Sequence, residues 1–363
     1  MERNARNSSI ELLRIVTIIL IIFHHFNVHG IWVIEESHSL LPGWQLFVSC
    51  LTGWGGNVGN EIFMIIAGYF MITGKVHWKR VILLFATLFL YSWGITGFFE
   101  GIMGWHFTAK EIGKYVIPIW SGVNWFVCCY LVFMCFVPFI NPFLRGLTQK
   151  QHLNFLILNY IMFMLIPGFS GKTYLDGAFI QFLIMYVLGG YIRLYGSEFK
   201  TFSEYKFWKK GVLICVILFG IASLFPFVFG HWGPYNKIGS LTEPFMALSC
   251  FMIAVCHKPF SSKLINRIAG SVLGIYLIHD NPLVRKFIWT MWYPNLDYLD
   301  SWYFPLFMVG KVALIFFVCL SIDQLRIYFI EPYMKRYVDA RWEKWGQRVE
   351  FYKIRVCRYM EKF

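Results

Sequence analysis

The sequence predicts an all-α, polytopic membrane helical bundle of about ten transmembrane helices with both termini cytoplasmic. Composition, long apolar blocks and the placement of basic residues predict it together. Of 363 residues, 58% are hydrophobic, 20% aromatic and only 15% charged, whereas soluble proteins average about 45–50% apolar and about 25% charged. Disorder is excluded and an ordinary soluble domain disfavoured, so the expected partner is the lipid bilayer. The net charge of +13 does not point to nucleic acid, because Lys and Arg punctuate the apolar blocks instead of gathering on a polar face among aromatics.

Apolar runs bounded by Gly, Pro or charge place spans near 10–29, 58–74, 80–99, 123–144, 153–168, 178–195, 211–229, 241–257, 268–290 and 303–329, each long enough to cross if tilt or interruption is allowed. The segment Ile112–Trp120 reads as an interfacial or re-entrant piece. Basic residues resist translocation and accumulate inside. With the N-terminus inside, 26 of the 33 Lys and Arg fall on inner segments, from Arg3 and Arg6 through Lys75, Lys79 and Arg80 to ten between Arg326 and Lys362. The outer segments hold six, Lys172 among them, and Lys311 stands in the last span.

Residues 1–330 therefore form one transmembrane unit. Residues 331–363 form a basic cytoplasmic tail whose mixed Arg, Lys, Tyr, Trp and Phe suit an amphipathic helix on an anionic leaflet. Arg3, Arg6 and the apolar stretch after Ile15 imitate a secretory signal, but no small-residue cleavage site follows, so this segment reads as a retained first helix. Most of the nine cysteines lie within apolar runs and have neither Cys-x-x-Cys nor zinc spacing; they read as small hydrophobes.

Ionisable groups inside spans cost roughly 2.5–3.5 kcal/mol each on insertion scales, which makes those that persist functional candidates. Arg14 and His25 are eleven residues apart, so they project from one helix face about 16 Å apart along the axis. A fixed positive charge near the inner interface thus stands below a titratable imidazole, an arrangement suited to holding an anion below and moving a proton above. Snorkelling of Arg14 is the plain alternative. Glu61, His279 and Asp280 fall at a similar depth to His25, and either carboxylate is able to orient the ring. Lys311 pairs with one of these carboxylates or contacts an anionic substrate. No phosphate loop, His-Glu-x-x-His, Gly-x-Ser-x-Gly or dinucleotide fingerprint is present, which leaves a histidine-dependent reaction with no metal.

Four segments resemble the acyltransferase-3 family of integral-membrane O-acyltransferases, over most of residues 8–330. Arg14 and His25 in "SSIELLRIVTIILIIFHHF" match its Arg-ten residues-His signature. "GNEIFMIIAGYFM" at 59–71 is similar to its Phe-rich helix, with Ala67 where the pattern has Ser. "NWFVCCYLVFMCFVPFIN" at 124–141 and "LGIYLIHDN" at 273–281 follow in the family's order. The resemblance implies transfer of an acyl group, usually acetyl from acetyl-CoA on the cytoplasmic side, to a hydroxyl of a glycan or lipid-linked sugar at the outer side of a bacterial plasma membrane. It implies His25 as the essential histidine, Arg14 as its basic partner, and Lys79 with Arg80 as a donor-handling patch. Glu61 is a further catalytic candidate, while Trp125, His279 and Asp280 are expected to line the acceptor site. The rival expectation is a transporter or flippase for a lipid-linked sugar with proton-carrying residues, which should show internal repeats; none is found in the sequence.

Overall fold

A computed structural model describes residues 7–32, 43–170, 177–198, 204–230 and 232–360. Arg3, Arg6, Lys172, Lys200 and Lys362 of the charge count lie outside the described residues, and beyond Gly346 only the backbone of the tail is described. Among the described residues every regular element is helical.

Helix α1 (Ser8–Asn27) opens where the Asn7 side chain accepts the Ser9 N–H at 3.0 Å, and a π turn (Val28–Trp32) extends it. Its first residue is tied by Ser8 Oγ to Asn266 Oδ1 at 2.9 Å. Helices α2 (Gly43–Gly53) and α3 (Gly55–Met71) run almost end to end. After α4 (Trp78–Gly101), the segment read as interfacial forms two short helices, α5 (Ala109–Val116) and α6 (Pro118–Ser121). They lean on α4, since Ser92 Oγ donates to the Tyr115 carbonyl at 2.7 Å and Trp93 Nε1 to that of Val116 at 3.0 Å. Then come α7 (Trp125–Gly146), α8 (Gln149–Tyr160), α9 (Ile166–Ser170), α10 (Ala178–Tyr195), α11 (Tyr205–Phe229) and α12 (Trp232–Cys256).

The segment expected as one span at 268–290 is instead broken into α13 (Lys263–Ala269), α14 (Val272–His279) and α15 (Pro282–Lys286). Pro282 has no N–H to continue a helix and pushes the residue before it out of the α region. Asn281 accordingly sits at ψ 132° and caps the next turn, its side chain accepting the Leu283 N–H at 3.0 Å. Helices α16 (Phe304–Phe329) and α17 (Glu331–Met360) complete the chain.

Eight helical stretches are long and apolar enough to span a membrane. The remaining two of the ten expected crossings are α3, whose 17 residues cover roughly 25 Å, and the broken α13–α15 segment. Large apolar side chains on the long helices, such as Phe139, Leu213, Ile217, Leu306 and Phe317, point outward, which is tolerable only where the solvent is hydrocarbon. Inside, α3 is the central helix, packed on α1, α10 and α12. Its closest approach is to α10, where a Cβ at Gly68 would collide with the Tyr186 carbonyl and one at Gly189 with that of Ile65. Such small-residue contacts bring backbones together where lipid removes the hydrophobic drive for helix association.

Two buried cations serve this architecture. Arg326 Nε donates to Asp323 Oδ1 at 2.7 Å, and the same oxygen accepts the Tyr91 hydroxyl at 2.6 Å. Lys311 pairs with no intramembrane carboxylate among the described residues, contrary to the first of its two readings. Its Nζ donates to the Tyr293 carbonyl and to Asn295 Oδ1, each at 2.7 Å, and to the Trp292 carbonyl at 3.3 Å. An ammonium near loop backbone finds carbonyl acceptors closer than any acid, so it fastens the loop between α15 and α16.

Candidate active site

Three cavities follow one another through the bundle. The largest, about 720 Å³, is bordered by the first half of α1, the second half of α3 and the start of α4. Arg14 and Arg80 both line it, and Arg14 Nη1 is braced by Glu11 Oε2 at 3.0 Å. Lys79, adjacent in sequence, faces away. It pairs with Asp339 of α17 at 2.6 Å and lies 5.7 Å from the Trp342 ring centre, so it docks the tail helix onto α4. The structure thus brings Arg14 and Arg80 together and leaves Lys79 apart.

A chamber of about 140 Å³ holds His25, with His24, His29 and Trp125 in its wall. It shares Ile21, Asn60 and Tyr276 with the large cavity. Beyond it, a third cavity of about 360 Å³ is bordered by the end of α1 and the first halves of α3, α10 and α12. His24, Asn57 and Asn60 line both. Since α1 contributes its first half to one end and its last residues to the other, with α3 in the reverse order, the two helices run antiparallel and the large and third cavities lie at opposite ends. Arg14 and His25 therefore border adjoining spaces, as their shared helix face predicts.

The His25 ring is set by its neighbours. His279 Nδ1 lies 2.6 Å from the Ile275 carbonyl, and His279 Nε2 lies 3.0 Å from His25 Nδ1. A carbonyl only accepts, so His279 carries its proton on Nδ1. Its Nε2 is then an acceptor in the neutral ring, and His25 Nδ1 must donate to it. With both rings neutral, the lone pair of His25 is left on Nε2, the tautomer a general base requires. Asp280, at the broken end of α14, is the carboxylate beside His25: its Oδ1 is 3.5 Å from His25 Nδ1, 3.6 Å from His29 Nε2 and 3.6 Å from Arg285 Nε. Of the two carboxylates weighed from sequence, Glu61 lines the third cavity instead, with Glu243.

His25, His29 and Asp280 bring candidate ligand atoms within 4.8 Å of one another. Arg285 already supplies a cation there, its Nη1 lying 3.2 Å from His29 Nε2, and a guanidinium competes with a metal ion for the same lone pairs. Trp125 borders the His25 chamber, while His279 and Asp280 stand behind His25. Sequence reasoning missed His29, Asn60, Glu243 and Arg285. Glu243 is visible in the sequence as a carboxylate within an apolar span, whereas Arg285 reads there as a loop charge because the apolar run crosses Pro282 unbroken.

The site therefore offers a cavity bearing two guanidinium groups, a histidine with a free nitrogen, and a polar cavity beyond it. No curated protein and no solved structure matches the chain significantly. A family model described as an acyltransferase domain matches residues 7–323, a range that contains all three cavities. This multi-pass chain, with Arg14 and His25 on one face of its first helix, belongs to the acyltransferase-3 family and is a membrane O-acyltransferase.

Proposed function

We propose that the protein moves an acetyl group from acetyl-CoA to a hydroxyl of an envelope or exported polysaccharide, or of its lipid-linked precursor. The observation that carries this reading is the continuity of walls: the His25 chamber borders the Arg14/Arg80 cavity on one side and the polar third cavity on the other. Anionic phosphates of the donor suit the guanidinium end, where Arg presents forked donors. That end would face the cytoplasm, in keeping with the inner excess of Lys and Arg. The acceptor would enter the third cavity from outside.

In this mechanism His25 Nε2 takes the proton of the acceptor hydroxyl as its oxygen attacks the thioester carbonyl. The C–S bond then breaks, the acetyl ester is formed, and the proton passes from His25 to the departing CoA sulfur. His279 and Asp280 hold the ring; Asp280 balances the positive charge that develops on it. Transfer through an acetylated His25 uses the same groups. The lipid-linked sugar transporter is left without support by membership in an acyltransferase family.

The test is His25→Ala. Acetylation should be lost while the protein still folds and inserts, read by proton NMR of acetyl esters on the purified polysaccharide. A normal acetyl-ester signal from that variant would remove His25 from the chemistry.

A further inference from the structure

The third cavity carries more information than its position. Its wall includes two glutamates, Glu61 from α3 and Glu243 from α12, and among the described residues that line it there is no Lys or Arg. His24, the titratable base in this wall, has its Nδ1 directed to the Gly53 carbonyl. The Glu243 carboxylate is held by Asn57 Nδ2 at 3.2 and 3.3 Å, which occupies only part of its acceptor capacity. Glu61 is only 7% exposed, and its Oε2 has no hydrogen-bond partner. Asn60, Gln181 and Asn236 add uncharged hydrogen-bonding groups. The aromatic wall is fixed: Trp54 stacks on Phe219 at 4.5 Å and 9°, and the Tyr235 hydroxyl donates to the Cys50 carbonyl at 2.9 Å.

A neutral ligand in this space leaves two buried acids with no opposite charge, so ionising either keeps its full desolvation loss. A ligand bearing an ammonium group offsets that loss with charge-assisted hydrogen bonds. The amides suit the hydroxyl groups of a sugar. We propose that the cavity takes a sugar carrying a free ammonium group, recognised by Glu61 and Glu243, beside the hydroxyl that is acetylated. This rests on the reading of the third cavity as the acceptor site and specifies the class of acceptor. The ammonium stays protonated against the carboxylates and is not the nucleophile.

The test uses the full chain purified in detergent at pH 6.5, with two probes of one length: the β-1,4 glucosamine tetrasaccharide and its fully N-acetylated, neutral counterpart. Isothermal titration should show the amine form binding at least tenfold more tightly. Glu243→Gln should cut that preference severalfold, and retained binding of the neutral probe reports that the variant is folded. Glu61→Gln, of equal size, should act the same way. Equal binding of the two probes, no binding of either, or a preference that survives both substitutions would overturn the proposal. Acetyl-CoA consumption is scored separately: His25-dependent transfer that is equally efficient to the amine and neutral probes would sustain the acyltransferase mechanism while ending the claim about the ammonium.

Discussion

In the proposed reaction His279 sets the base, whereas Arg14 and Arg80 hold the donor. His279 fixes which nitrogen of His25 carries the proton, through a bond of 3.0 Å, while its own proton is committed to Ile275. Removing it frees the His25 ring to turn and to change tautomer. For His279→Ala we expect kcat to fall by about 10²-fold or more, with KM for acetyl-CoA unchanged, because the change lies behind the base and away from the donor cavity. Arg14 and Arg80 predict the converse. Arg14→Ala and Arg80→Ala should each raise KM for acetyl-CoA several-fold with little change in that for the acceptor, measured by varying each substrate in turn. Arg14 and His25 were legible in sequence because helical periodicity alone puts residues eleven apart on one face. Which carboxylate serves His25 was not, because Glu61 and Asp280 fall at similar depth and only packing turns Asp280 toward the ring.

At the scale of elements, the decisive feature is the break after α14. A continuous helix through Pro282 would carry Asp280 and Arg285 on round the axis; the break ends the helix at His279 and lets Asp280 meet His25 and His29 while Arg285 meets Asp280 and His29. The Asn-Pro pair that causes it is visible in the sequence, but hydropathy runs across it without interruption, so the sequence reads as one span. The loop that follows is fastened by Lys311, and Asn295, which accepts from Lys311, in turn donates to the Phe26 carbonyl at 2.8 Å, next to His25. Lys311→Met leaves Asn295 and the Tyr293 carbonyl without their donor inside the protein. Leaving such an acceptor unpaired costs about 1–3 kcal/mol, so heat denaturation followed by tryptophan fluorescence should show a lower midpoint than the parent protein. An unchanged midpoint would mean that the loop is held by other contacts.

At the scale of the whole molecule, two cavities at opposite ends of the bundle adjoin one histidine chamber. The all-α bundle and the order of its crossings followed from composition and apolar periodicity. The convergence of α1, α3, α10 and α12 around the polar cavity did not, because helix packing order leaves no periodic trace in a single chain. In the proposed function, the inner excess of Lys and Arg and the opposite placement of the large and third cavities put the donor at one face of the membrane and the acceptor at the other. The most direct measurement reconstitutes the protein in sealed liposomes, traps an acceptor oligosaccharide inside and supplies radiolabelled acetyl-CoA only outside. Labelled acetyl ester should appear on the trapped acceptor with the parent protein and not with His25→Ala. Label that appears only when both substrates share one compartment would contradict a passage between the two ends.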